Sequence, residues 1–426
     1  HSYSDEKYNE TILSGKELQV GDKTIEINDY EFSSDESKLL IATETTKIYR
    51  HSSKSHYYIY DLNARTLSKL TEGSKQMYAT FSPSANKVAY VKDNDMYFKD
   101  LTSNKEIRVT SDGKQNEIIN GASDWVYEEE LVLVKSFKWS PDGNKIAYYR
   151  FDETNVKEWL MKIYGPLYPE EERFKYPKAG EENSKVEIFF YDLASAKKTK
   201  ANIGTKYEYI SRINWTNDSK SLAIQSLNRQ QNDLNIHITS AATGESKIIF
   251  NELNESYVEV PKTKFLTTKN QFIITSEKDG FNHIYLYGIT GKLINQVTKG
   301  EFDVSDFYGV DENKGLVYYQ SAELSAIDRQ VYSVKLNGSS KKRLTTKTGQ
   351  NRAAFSTSFK YFINYHSSAS TPKYITLNDY TGKEKRVLED NAALNKSLEG
   401  FNFSKKEFFK IKVNENELNA WKILPT

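Results

Sequence analysis

The sequence predicts an all-β fold: an eight-bladed β-propeller of four-stranded antiparallel blades, with an inserted arm. Three observations carry that expectation. A unit of about 35 to 45 residues recurs along the chain, the period of a propeller blade. Within it, runs such as Lys87-Val88-Ala89-Tyr90-Val91 and Lys145-Ile146-Ala147-Tyr148-Tyr149 read as strand and not as helix. Between the first and second strands lies a turn of the type Ser140-Pro141-Asp142-Gly143. There Pro presets φ, Asp bonds nearby backbone and Gly supplies positive φ.

Taken in order, residues 30–35 open the first complete unit and lead to Tyr58-Ile59-Tyr60-Asp61-Leu62. Residues 79–83 open the second and lead to Met96-Tyr97-Phe98-Lys99-Asp100-Leu101. The third is the clearest, from Phe137-Lys138-Trp139 through Tyr148 to Phe189-Phe190-Tyr191-Asp192-Leu193. Weaker openings follow at residues 213–218, 264–266, 305–307, 354–356 and 400–404, which makes eight. Residues 1–26 are expected to hold remnants of a preceding blade, so that the first blade is truncated. An array of β-sandwiches is the alternative, but the repeated Asp-Leu at the end of the third strand fits blades better. Residues 1–426 are thus expected to form one propeller domain, with residues 151–182 as its inserted arm. That insertion holds Trp159, Met161, Tyr164, Pro166, Leu167, Tyr168, Pro169 and Phe174. It is too long and too apolar for a plain hairpin loop, so it should pack on its own domain or on a partner.

Composition narrows the function. Lys and Arg number 59 against 58 Asp and Glu, a net charge of +1 with no basic excess for nucleic acid or an anionic membrane. With no cysteine there is neither a disulfide framework nor a thiol nucleophile. No run of about 18 apolar residues could span a bilayer, and no signal peptide is visible. The start at His1 suggests a processed or engineered end. The six histidines (His1, His51, His56, His237, His283 and His366) lack metal-ligand spacing and are expected to be structural. Gly-x-Ser-x-Gly and Gly-rich phosphate loops are absent, and no cofactor or metal is expected.

What remains is a recognition set. The stretch Asn120-Gly121-Ala122-Ser123-Asp124-Trp125-Val126-Tyr127-Glu128-Glu129-Glu130-Leu131 puts three carboxylates side by side. Such a triplet is ordinarily a solvated turn or the first turn of a short helix, where Glu suits the dipole. Buried, it would need a cation to meet it. A protonated peptide N-terminus is such a cation, with three N–H donors that Glu129 and Glu130 could share. Sequence neighbours do not face the same way on a regular helix, so both can reach one ligand only from a turn or a distorted helix end. Arg50, in Ile48-Tyr49-Arg50-His51-Ser52, offers a rigid fork for a carboxylate or carbonyl. A plain surface arginine is the alternative.

Asp124-Trp125-Val126-Tyr127-Glu128-Glu129-Glu130 resembles, residue for residue, the double-glutamate motif of the dipeptidyl peptidase IV family. Arg50-His51-Ser52 with Tyr58 to Asn63 resembles the family's arginine-bearing segment. Tyr176-Pro177-Lys178-Ala179-Gly180 with Asn183 resembles the close of its arm. Arg386-Val387-Leu388-Glu389-Asp390-Asn391 with Ala393-Leu394 resembles its last-blade segment, and Trp421-Lys422-Ile423-Leu424-Pro425 its exit into a hydrolase domain. The resemblance covers most of the chain. It implies a serine exopeptidase that releases Xaa-Pro or Xaa-Ala dipeptides, and the absence of cysteine suggests a bacterial member, periplasmic or envelope-associated. Its triad would sit on an α/β-hydrolase domain outside this chain, so the chain by itself is expected to be inactive. Glu129 and Glu130 would bind the substrate's free amine, and Arg50 would hold the carbonyl of the second residue from the cut. By the same resemblance Glu128 has no such role, and the arm from 158 to 180 is a homodimer contact. The other readings are a non-catalytic propeller scaffold for protein interaction and a catalytically dead family member.

Overall fold

The computed structural model describes residues 10–165 and 167–425; His1 and Pro166, named above, lie outside them. Two compact units divide the chain, His1–Val258 and Glu259–Thr426. In the first, four antiparallel sheets follow one another at residues 29–69, 77–108, 118–200 and 209–253. In the second, three sheets occupy residues 263–296, 304–343 and 350–389, followed by a hairpin of Lys406–Val413 and Asn416–Ile423. Six of the seven sheets have four strands in chain order, and the third has a fifth. This is the propeller blade that the repeat predicts.

The repeat has a mechanical basis. In every one of the seven sheets, the residue after the third strand donates its N–H to the carbonyl just before the second strand. The donors are Leu62, Leu101, Leu193, Ala241, Ile289, Leu336 and Tyr380, at 2.8 to 3.0 Å. Where Asp precedes that residue, its carboxylate accepts from the turn beyond, as Asp61 does from Asn63 and Ala64 and Asp100 from Thr102 and Ser103. In the first three sheets it also faces the lysine that opens the second strand, with Lys38–Asp61 at 4.0 Å, Lys87–Asp100 at 3.7 Å and Lys145–Asp192 at 3.8 Å.

The turn between the first two strands repeats too. Ser33, Ser82 and Ser140 each accept the N–H of the residue that begins the second strand, at 2.9, 3.1 and 2.9 Å. Three residues after each of them the backbone is left-handed: φ is +54° at Glu36, +56° at Ala85 and +68° at Gly143. Only the clearest copy places glycine there, the residue that adopts this conformation without strain. Neighbouring blades are joined through indole N–H groups: Trp139 donates to the Thr80 carbonyl and Trp215 to the Lys138 carbonyl. Between the blades lie apolar cores such as Leu40, Ile59, Leu70, Phe81, Val88 and Tyr90.

Three expectations shift. The opening at residues 400–404 forms no strand; pairing starts at Lys406, and the eighth unit is a two-stranded hairpin among the described residues. Of the N-terminal remnant, residues 10–26 form a 3-10 turn and a hairpin of two-residue strands, with Leu18 packed on Leu39, Ile41 and Tyr60. The insertion starts later than its apolar content suggests. Phe151 and Asp152 stay in the blade, paired with Val186 and Lys185 on one side and with Ile119 and Ile118 on the other. The arm's own hairpin pairs Glu158–Ile163 with Glu170–Lys175.

Candidate functional site

The acidic stretch begins at a close approach. Gly121 has φ +76°, and a Cβ there would run into Met96 and Val91, so the motif is reached through a position only glycine fills. The helix Trp125–Leu131 follows. Asp124 is its N-cap: one carboxylate oxygen accepts from the Tyr127 N–H at 2.9 Å, the other from the Ser184 hydroxyl at 2.6 Å. Burial raises its pKa above the ordinary carboxylate value. Tyr127, Glu128 and Leu131 form the buried face. The Tyr127 hydroxyl accepts from the Ile210 N–H at 2.8 Å, and its ring meets Phe151 edge-on at 4.8 Å. The helix stops at Val132, whose φ of +49° is strained for a β-branched residue. Arg212 donates to the Leu131 carbonyl at 2.7 Å and so satisfies the helix end.

Three consecutive glutamates meet three environments. Glu128 is buried, and its Oε1 accepts two backbone N–H groups, His51 at 2.6 Å and Ser52 at 2.8 Å. Glu129 is half-buried, with Arg50 Nε 3.0 Å from Oε2 and 3.3 Å from Oε1. Glu130 is exposed and makes no hydrogen bond or ion pair to a described residue. Its charge acts on Tyr209, although burial is the main cause of that phenol's raised pKa. Glu129 and Glu130 lie in the helix's last turn, where backbone carbonyls present negative charge. Both are therefore placed where a cation is favoured.

Arg50 sits on a tight loop in which Ile48 N–H reaches the Ser52 carbonyl at 3.0 Å and Tyr49 N–H the Ser52 hydroxyl at 3.1 Å. Its side chain is 73% exposed and uses only its Nε edge on Glu129, leaving the two Nη groups open. The base of the arm brackets loop and helix. Tyr176 packs tilted against Trp125 with ring centroids 4.2 Å apart, Phe174 lies 6.2 Å from Tyr176, and Tyr49 lies 5.6 Å from Phe174. Behind them Glu153 is buried, and burial beside the Asp124 charge raises its pKa to about 7. The arm's far end differs: Tyr164, Leu167 and Tyr168 are 77%, 92% and 80% exposed.

No other described cluster offers chemistry. No group of three or more His, Cys, Asp or Glu among the described residues could hold a metal. Ser226 and His237 are 2.9 Å apart, but both are buried, and burial lowers the His237 pKa to about 4. The ring of His283 bonds Thr298 and the Gly300 carbonyl, and that of His366 the Thr348 carbonyl. No helix among the described residues is long and apolar enough to cross a membrane.

Comparison with known proteins gives the arrangement its context. Residues 33–373 match the family described as the dipeptidyl peptidase IV (DPP IV) N-terminal region. The chain belongs to the dipeptidyl peptidase IV family. The dipeptidyl peptidase 4 of Trichophyton rubrum is 31% identical over 447 residues, which is 98% of this chain and 56% of that protein. That of Arthroderma otae is 31% identical over 448 residues, with the same coverage. The crystal structure of Porphyromonas gingivalis dipeptidyl peptidase 4 superposes with a TM-score of 0.94 at 38% identity, over 100% of this chain and 61% of that one. A putative dipeptidyl aminopeptidase IV from Bacteroides ovatus, 24% identical with a TM-score of 0.73 over 90% of this chain and 55% of that one, shares the fold. The chain spans about half the length of the curated relatives it matches.

Of the residues expected from the sequence to bind substrate, Glu129, Glu130 and Arg50, the fold brings Glu129 and Arg50 together. Glu128 was expected to have no substrate role, and Asp124, Arg212 and the aromatic bracket carried no expectation. Asp124, three residues before a backbone N–H it caps, carried a legible helix-start signal. The others depend on contacts across 76 or more residues, or on packing of the arm.

Proposed function

We propose that this chain is the substrate-gating part of a dipeptidyl peptidase IV-like serine exopeptidase, which releases Xaa-Pro or Xaa-Ala dipeptides from peptide N-termini. The observation that carries the reading is the Arg50–Glu129 pair beside the unpartnered Glu130, in the last turn of one short helix. A substrate ammonium entering there gives donors to both carboxylates and relieves their mutual repulsion. Arg50 pairs with Glu129 through its Nε edge and keeps its Nη groups open for a substrate carbonyl. Chain extension beyond the amine is refused, because an amide in its place is uncharged and keeps a single N–H donor. The bond is cut by a Ser-Asp-His triad on an α/β-hydrolase part of the enzyme outside this chain. The curated relatives, each named dipeptidyl peptidase 4 and longer than this chain, support that division.

The exposed apolar tip of the arm favours an added role for residues 158–180 in contact with a second copy. The amine reading is tested by comparing a Gly-Pro reporter with its N-acetylated form on the full-length enzyme. Acetylation is expected to cut kcat/KM at least a hundredfold. Equal turnover of the two would refute the socket and favour the scaffold reading of this propeller.

A further inference from the structure

We propose that Glu128 is a positioning residue for substrate binding: its buried carboxylate clamps the loop that carries Arg50 and so sets where the guanidinium stands. The inference rests on the amine-socket reading above and adds to it a residue that does not touch substrate. Arg50 is mostly exposed, and an exposed ion pair on a long side chain fixes little by itself. Something else must hold the loop. Glu128 Oε1 accepts the N–H groups of His51 and Ser52, the two residues that follow Arg50. Bonds from amides to a buried carboxylate are the strong kind.

The result is a closed cycle. Its links run from the Glu128 side chain to the His51 amide, back one residue to Arg50, through Nε to Glu129, and back one peptide bond to Glu128. The loop's own bonds, Ile48 N–H to Ser52 carbonyl and Tyr49 N–H to Ser52 hydroxyl, make it rigid enough to transmit the constraint. One glutamate thus anchors the loop while its neighbour meets the ligand, which is a reason for three acids in a row where two face the site.

The test uses the full-length enzyme, with hydrogen exchange over residues 48–53 and steady-state kinetics on a free-amine Gly-Pro reporter. Glu128→Ala should speed exchange at His51 and Ser52 at least tenfold. It should raise KM about tenfold or more, with a smaller change in kcat. Glu128→Gln keeps an oxygen that can accept both amides and should stay within about threefold of wild type in both. Glu128→Asp, which withdraws the oxygen by one methylene, should shift both readouts in the direction of Ala and serves if Ala does not fold. Adding Glu128→Ala to Arg50→Ala should cost nothing further in KM, because the first acts through the second. Unchanged exchange at residues 51 and 52, or losses that multiply in the double variant, would overturn the inference. So would normal KM in Glu128→Ala beside a raised KM in Glu129→Ala, and that result would leave the socket standing. Normal KM in Glu129→Ala would bring down the socket and this inference together.

Discussion

Glu153 shows what burial does to one residue behind the site. It is buried beside Asp124, and its pKa rises from 4.5 to about 7, first by burial and then by the Asp124 charge. Its folded-state pKa is above the unfolded one, so its contribution to stability is fully present below about pH 4.5 and is lost as pH rises through about 7. Relative to Glu153→Gln, the wild-type chain should therefore lose up to about 3 kcal/mol of stability between pH 4.5 and pH 8. Denaturant melts of both proteins at those two pH values check this. Parallel behaviour would show that Glu153 is ionised without penalty. The fates of Glu128, Glu129 and Glu130 were not legible from their shared residue type. They diverge because the 48–52 loop, 77 positions away, covers the first and pairs with the second. That Arg50 would lie near the acids was legible only through resemblance.

At the scale of elements, the helix Trp125–Leu131 is short, and its ends decide it. Asp124 caps one end and Arg212 the other, but Val132 carries a left-handed backbone that costs an L-residue roughly 1–2 kcal/mol. Val132 is 67% exposed, so little packing is lost on its removal. Val132→Gly should gain up to about 1 kcal/mol after the extra chain entropy of glycine is subtracted, read as a higher Tm. A lower Tm would mean that Val132 packs more than its exposure indicates. The blades themselves were the most legible part of the sequence. Strand alternation and the Asp-Leu signature correspond to one hydrogen bond repeated in seven sheets, which survives at Ala241, Ile289 and Tyr380, where the Leu is replaced, and at Leu336, where Lys335 stands in place of the Asp. The fifth strand of the third sheet, Ile118–Asn120, was not legible: it is three residues long and pairs with residues that look like the start of the insertion.

For the molecule as a whole, the arm connects two kinds of surface. Its base packs Tyr176 on Trp125 and Phe174 near Tyr49, whereas its tip leaves Tyr164, Leu167 and Tyr168 in water. Exposed aromatics in such a cluster mark a contact surface. If that surface meets a second copy, Leu167→Asp with Tyr168→Asp should convert the enzyme from dimer to monomer in light scattering, with an unchanged Tm for the arm-distant blades. A monomeric wild-type enzyme would assign the tip another partner. The amine socket is tested most directly by kcat/KM for a Gly-Pro reporter on Glu129→Ala and Glu130→Ala full-length enzyme. Removing either carboxylate leaves the ammonium under-satisfied, a loss of about 2–5 kcal/mol for a desolvated pair. In each variant kcat/KM should therefore fall roughly 30-fold to 5,000-fold with the fold intact. Near-normal kinetics in both variants would contradict it.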